Sequence, residues 1–198
     1  MLTIGDRIKK AIDEMGKGQI EHALTETCIA IDLTAQKISG KSRSSRTDYK
    51  KFIADYMWLI SYMGLPGIIA GAIRIKFKHP DIKPDATGHC GVEDVVYHVI
   101  RCGLIHSTGL DEKIKWSDST IIGSDEDGNL TLCNKFIWGL IGAIIFCPAN
   151  NNENIDESYW IRIDDFKFFI QQLWGRVDLA KRIINLRTNP NKMQNCIQ

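Results

Sequence analysis

The sequence predicts an all-α fold, an antiparallel bundle of about five main helices with one small β-hairpin insertion at 117–133. Three observations predict it. Five segments repeat apolar residues at three- and four-residue steps, the period of an amphipathic helix. Two of the longest are joined by a short polar loop, the pattern of an αα-hairpin. Only one short stretch alternates like strands around a turn.

Taken in order, residues 4–15 form a short helix broken by Gly16 and Gly18. From Gln19 to Ser39 the apolar positions Ile20, Leu24, Cys28, Ile31, Ala35 and Ile38 keep one face of a long helix, which Gly40 ends. Thr47 is the expected cap of the next helix, over 48–63, with Phe52, Ile53, Tyr56, Ile60 and Met63 inward. Gly64-Leu65-Pro66-Gly67 breaks the apolar run that follows. A helix is expected from Gly91 to His106, with Val92, Val95, Val96, Val99 and Gly103 on its core face. Strands at 119–122 and 130–133 flank a turn containing Asp127-Gly128. Asn134 starts an apolar helix, Lys135 to Phe146, which Pro148 ends. Asp164 is expected to cap a helix with Phe166, Phe169, Ile170, Leu173 and Trp174 inward. A last helix runs from Val177 to Leu186, and a flexible tail over 187–198 closes a single domain, 1–198.

Composition narrows the function classes. The chain has 198 residues, 25 Lys+Arg against 24 Asp+Glu, and a net charge of +1. Binding nucleic acid through bulk charge is excluded; only a local patch could do it. Hydrophobic residues at 44% and charged residues at 25% exclude a mainly disordered chain. The opening MLTIGDRIKKAIDEM has no apolar core of a secretory signal. The most apolar window, Phe136 to Cys147, is well short of the roughly 20 residues a membrane span needs. The expectation is a soluble cytoplasmic protein with no membrane association. Its six cysteines form no C-x-x-C pair and are expected to be reduced thiols.

Four constellations could carry chemistry. The first is Arg101-x4-His106, at the end of the helix from Gly91. On a wheel of about 100° per residue, Arg101 falls about 180° from Val92, opposite the core and beside Asp94 and Tyr97. His106 lies about 140° further round. Arg offers a fixed positive fork for phosphate oxygens, and His a proton donor or acceptor near neutral pH. On spacing alone, a structural pair of Arg101 with Asp94 is the commoner outcome. The second is the donor set His89, Cys90, His98, Cys102 and His106. Three of these climb one helix flank over about 12 Å, too far for one ion, so no metal is expected. The third, Asp125-Glu126-Asp127-Gly128-Asn129, has Phe136 where a calcium loop needs its twelfth-position Glu, and reads as a turn. The fourth is basic: Lys41, Arg43, Arg46, Lys50 and Lys51, with Arg74, Lys76 and Lys78 further on, a patch that could hold RNA phosphates.

The paired long helices, and a later helix ending in Tyr97-His98-Val99-Ile100-Arg101-Cys102-Gly103-Leu104-Ile105-His106-Ser107, resemble the HEPN superfamily of small helical bundles. The resemblance covers roughly residues 18–107. It implies a metal-independent endoribonuclease, of the kind found among toxins and antiviral effectors, with its site at a dimer interface and Arg101 and His106 catalytic. RNA, a second copy of the chain and a regulatory protein are the partners expected, and no cofactor. The alternative is a non-catalytic helical module that binds RNA or a protein. An outward Arg101 and a helix-end His106 are expected to add little to stability.

Overall fold

The computed structural model describes residues 2–65, 68–106 and 109–188. Pro66-Gly67, Ser107 of the motif string, and the expected tail from Asn189 onward lie outside the described residues.

The fold is mixed α/β rather than all-α. Helix makes up about 52% of it, and seven short strands form three small sheets among the described residues. In chain order come α1 (Ile4–Gly16), α2 (Ile20–Ser39), α3 (Arg46–Asp55) and α4 (Met57–Gly64). An antiparallel pair, β1 (Arg74–Lys76) and β2 (His89–Gly91), then leads into a composite helix. That helix begins as α5 (Val92–Val95), continues as a π segment (Val96–Arg101) and ends as α6 (Cys102–His106). Next are β3 (Ile114–Ser117), β4 (Gly123–Ser124), β5 (Leu130–Cys133) and α7 (Lys135–Phe146). A hairpin of β6 (Trp160–Ile163) and β7 (Phe166–Phe169) precedes α8 (Val177–Thr188).

Two expected elements are replaced. The predicted strand 119–122 does not form. Its partner β5 instead sits at the centre of a three-stranded sheet, parallel to β3 and antiparallel to the two-residue β4. The predicted helix after Asp164 is the β6–β7 hairpin. Asp164 takes φ 53°, and the Asp164-Asp165 turn pairs Ile163 with Phe166. Asp tolerates that left-handed conformation, and two-residue hairpin turns demand it. The three-four spacing of Phe166, Phe169, Ile170 and Leu173 is shared between this strand and a 3₁₀ turn at Ile170–Gln172. A smaller correction is the cap of α3. Ser45, not Thr47, accepts from the Asp48 N–H, while the Asp48 carboxylate accepts from the Ser45 N–H, a reciprocal capping box.

The centre of the core is α7. Phe136, Ile137, Leu140, Ile141, Ala143, Ile144, Ile145 and Phe146 are all fully buried, so this helix has no solvated face. It packs so closely on α4 that a Cβ at Gly139 would stand 2.3 Å from the Ile60 carbonyl oxygen. Helices α2, α3 and the composite helix cover the remaining core. No helix among the described residues is long and apolar enough to cross a membrane.

The π segment buries a histidine. His98 is 9% exposed, edge-on to the Tyr97 ring. Desolvation, followed by the nearby Arg46 and Lys50 charges, lowers its pKa below the ordinary value near 6.5, despite Asp94 and Asp81. A histidine depressed in the folded state binds fewer protons there than in the unfolded chain. Its contribution is therefore complete above about pH 6.5 and is lost as pH falls toward the folded pKa. Urea unfolding should show stability dropping between about pH 7 and pH 5, and His98→Gln should flatten that drop. An unchanged pH profile in the variant would contradict this assignment.

Candidate functional site

The site is built where the composite helix crosses α2. In the π segment each N–H reaches back five residues instead of four, so the helix absorbs about one extra residue there. Everything downstream is turned back by about 100° on the wheel. Ile100 accordingly joins Val99 in the core, and Leu104, rather than the predicted Gly103, packs against it. The same rotation brings Arg101 from about 180° to about 80° from Val92, onto the flank that faces α2. Arg101 is therefore not the outward residue that a straight helix implies: its side chain is 18% exposed.

There its guanidinium meets three groups. Nε and Nη2 both donate to Asp32 Oδ2, at 3.1 and 3.0 Å. Nη1 donates to His106 Nε2 at 2.8 Å. The guanidinium carbon lies 5.5 Å over the Tyr97 ring, four residues back. Burial works against the charge on Arg101, but Asp32 outweighs it, and the pKa is raised above the ordinary arginine value. An arginine has no acceptor to offer. His106 Nε2 is therefore the acceptor in this contact, and the imidazole proton sits on Nδ1. Asp32 and His106 engage three of the guanidinium's five N–H groups and the Cys102 side chain also interacts with it, so at most two remain for a ligand. Asp32, 15% exposed, also accepts from the Ser44 hydroxyl, tying the α2–α3 loop to the site.

The structure thus brings together the two residues that the sequence singled out, and adds Asp32 and Ser44. Asp32 has a sequence signal: a carboxylate four residues after buried Cys28 and directly after buried Ile31, at the edge of the α2 core stripe. The predicted partner Asp94 instead pairs with Lys50. Of the basic patch, Lys41 and Lys51 are held by Asp48 and Asp55, at 2.7 and 2.8 Å. Arg43 and Arg46 carry no ion pair among the described residues. Arg46 lies 5.8 Å over Tyr97, so this ring touches both Arg46 and Arg101. Arg74 is paired with Asp85 at 2.6 Å, while Lys76 and Lys78 are exposed on and beside β1.

The remaining constellations resolve locally. His89 Nδ1 contacts the Thr87 hydroxyl at 2.9 Å, and the Cys90 thiol is buried against the Ile75 carbonyl. Among the described residues, no group of three or more His, Cys, Asp or Glu side chains could hold a metal ion. Asp125 accepts from the Asn129 N–H and side-chain amide, both at 2.8 Å, and these bonds lower its pKa, as in a closed turn. Cys28 lies fully buried behind the site, and burial pushes its thiol up to about 12.

The family model Rv1289 matches residues 3–196. The uncharacterized proteins Rv1289 of Mycobacterium tuberculosis (strain H37Rv) and Mb1320 of Mycobacterium bovis are each 22% identical to this chain over 196 residues, covering 93% of it and 89% of their own length. No solved structure matches the chain.

The Asp32–Arg101 pair corrects the expectation that Arg101 contributes little to stability. Arg101→Ala leaves the half-buried Asp32 carboxylate with only Ser44 beside it. We expect each of Arg101→Ala and Asp32→Ala to cost about 1–3 kcal/mol in urea unfolding. The double variant should cost less than their sum, with a coupling of about 1–2 kcal/mol. Strict additivity would show that the pair is not formed.

Proposed function

The chain belongs to the Rv1289 family, and we propose that it is a metal-independent endoribonuclease of the HEPN type that acts in the cytoplasm. The observation that carries this reading is the Arg101–His106 contact: two residues five apart, held tip to tip by Asp32 on a neighbouring helix. The His106 Nε2 lone pair accepts from Arg101 Nη1; when a phosphate oxygen takes that N–H, the lone pair is released to take the proton of a ribose 2′-OH. The 2′-oxygen then attacks phosphorus, and the 5′-oxygen leaves. The products are a 2′,3′-cyclic phosphate and a 5′-hydroxyl end. The free N–H groups of Arg101 meet the charge that builds on the phosphate oxygens. Arg46, on the other side of Tyr97, extends the positive surface along which the RNA backbone lies.

The reaction needs a base for the 2′-OH and an acid for the leaving oxygen, and each chain brings one His106. A two-fold partner would supply the second. α2 of the same chain already forms one wall of the site, so the second His106 is what a partner would add. A second reading is favoured by the fact that protein groups engage three of the guanidinium's N–H groups. In it, Arg101 is structural and the chain is a module that binds RNA or a regulatory protein without cutting.

Purified protein incubated with structured and unstructured RNAs in EDTA separates the two. Cleavage to cyclic-phosphate ends is expected, falling at least ~100-fold in His106→Ala and Arg101→Ala. Cys102→Ser keeps a hydrogen-bonding group beside Arg101 and should keep the activity. Binding without cleavage would favour the module. Equal cleavage by the wild type and both alanine variants would show that the activity belongs to a contaminant.

A further inference from the structure

We propose that a second site, the cleft between α1, α4, α7 and the β6–β7 hairpin, binds a nucleotide: a planar base carrying an anionic phosphate. The cavity measures ≈ 810 Å³, within the roughly 300–1,000 Å³ of small-molecule sites. Its walls are large and apolar, with Met15, Met63 and Trp138 facing Trp160 of β6. Trp138 on α7 and Trp160 on β6 both line the cleft, and an aromatic lining suits a flat ring.

The charges select the rest of the ligand. Lys135 at the start of α7 and Arg162 of β6 both line the cleft, and neither has an ion pair among the described residues. Arg162 also stands directly opposite Lys167 in the hairpin register. Like charges at facing positions of an antiparallel pair repel. Lys167 has turned its ammonium over Trp160 and Phe169, at 4.6 and 5.2 Å from the ring centroids. An anion at Arg162 relieves that repulsion.

A cationic ligand fits poorly. The exposed indole of Trp160 already carries Lys167, and the Tyr159 ring carries Lys9 at 5.0 Å. All three carboxylates on the rim, Asp13, Asp164 and Asp165, have partners. Asp13 accepts from the Tyr159 hydroxyl at 2.6 Å and from Lys9 at 3.0 Å, and Asp164 accepts from the Tyr62 hydroxyl. The third, Asp165, lies in the hairpin turn. The site shares no residue with the Arg101–His106 pair, so the proposal stands or falls apart from the ribonuclease reading.

Calorimetric titration of the full chain with AMP, adenosine and a 5′-phosphorylated RNA oligonucleotide tests it. AMP should bind saturably and at least about tenfold more tightly than adenosine, and Arg162→Ala with Lys135→Ala should remove that difference. Trp160→Ala, at a position already 41% exposed, should weaken AMP and adenosine together. His106→Ala should bind AMP as the wild type does. If the oligonucleotide and AMP bind equally, the ligand is the free nucleotide. If the oligonucleotide binds far more tightly, and the cation variants abolish the excess, the ligand is a phosphorylated RNA end. No saturable AMP binding up to ~1 mM, or AMP binding untouched by the two cation changes, overturns the proposal.

Discussion

A helix with no polar side has to be covered from every direction, and α7 is such a helix. Eight of its side chains are fully buried, and α4, α2 and β5 close around one rod. Burying a leucine- or phenylalanine-sized side chain is worth about 1.5–3 kcal/mol, so this covering outweighs local preferences nearby. It draws α4 in until only a glycine fits at position 139.

The candidate site follows from the π turn in the composite helix. One absorbed residue turns Arg101 toward α2, where a partly buried carboxylate is waiting. The Asp32–Arg101 pair then joins two elements far apart in sequence, and its geometry directs the third edge of the guanidinium at His106. A charge kept partly out of water is held more tightly and aimed more narrowly than one on the surface. This makes Asp32 a positioning residue: it acts on substrate only through Arg101.

Much of this was legible in the sequence, and the failures share a cause. The spans of α1, α2 and α7, the last helix, and the pairing of Arg101 with His106 all follow from long, strongly periodic segments and one spaced motif. The errors lie where two periods overlap. Around Phe166, Phe169 and Ile170 a helical spacing coincides with a two-residue turn. At 119–122 an apolar run was matched with the nearest strand, whereas β5 pairs chiefly with β3, which is further away in sequence. The all-α expectation failed because each strand is only two to four residues long, too short to show a period. The π turn was invisible for a different reason: a wheel with a fixed step cannot gain a residue. Asp32 was missed because its place at the edge of the α2 core stripe does not say which distant residue it pairs with.

The central claim is that Arg101 holds His106 as a proton acceptor through Nε2. Long-range ¹H–¹⁵N correlation spectra of histidine-labelled protein near neutral pH report which ring nitrogen carries the proton. With five histidines, the His106 signals are assigned by their loss in His106→Gln. The His106 ring should carry its proton on Nδ1 rather than Nε2, and the tautomer should change when Arg101 is replaced by alanine. A His106 ring protonated on Nε2 in the wild type, and unaffected by Arg101→Ala, would contradict it.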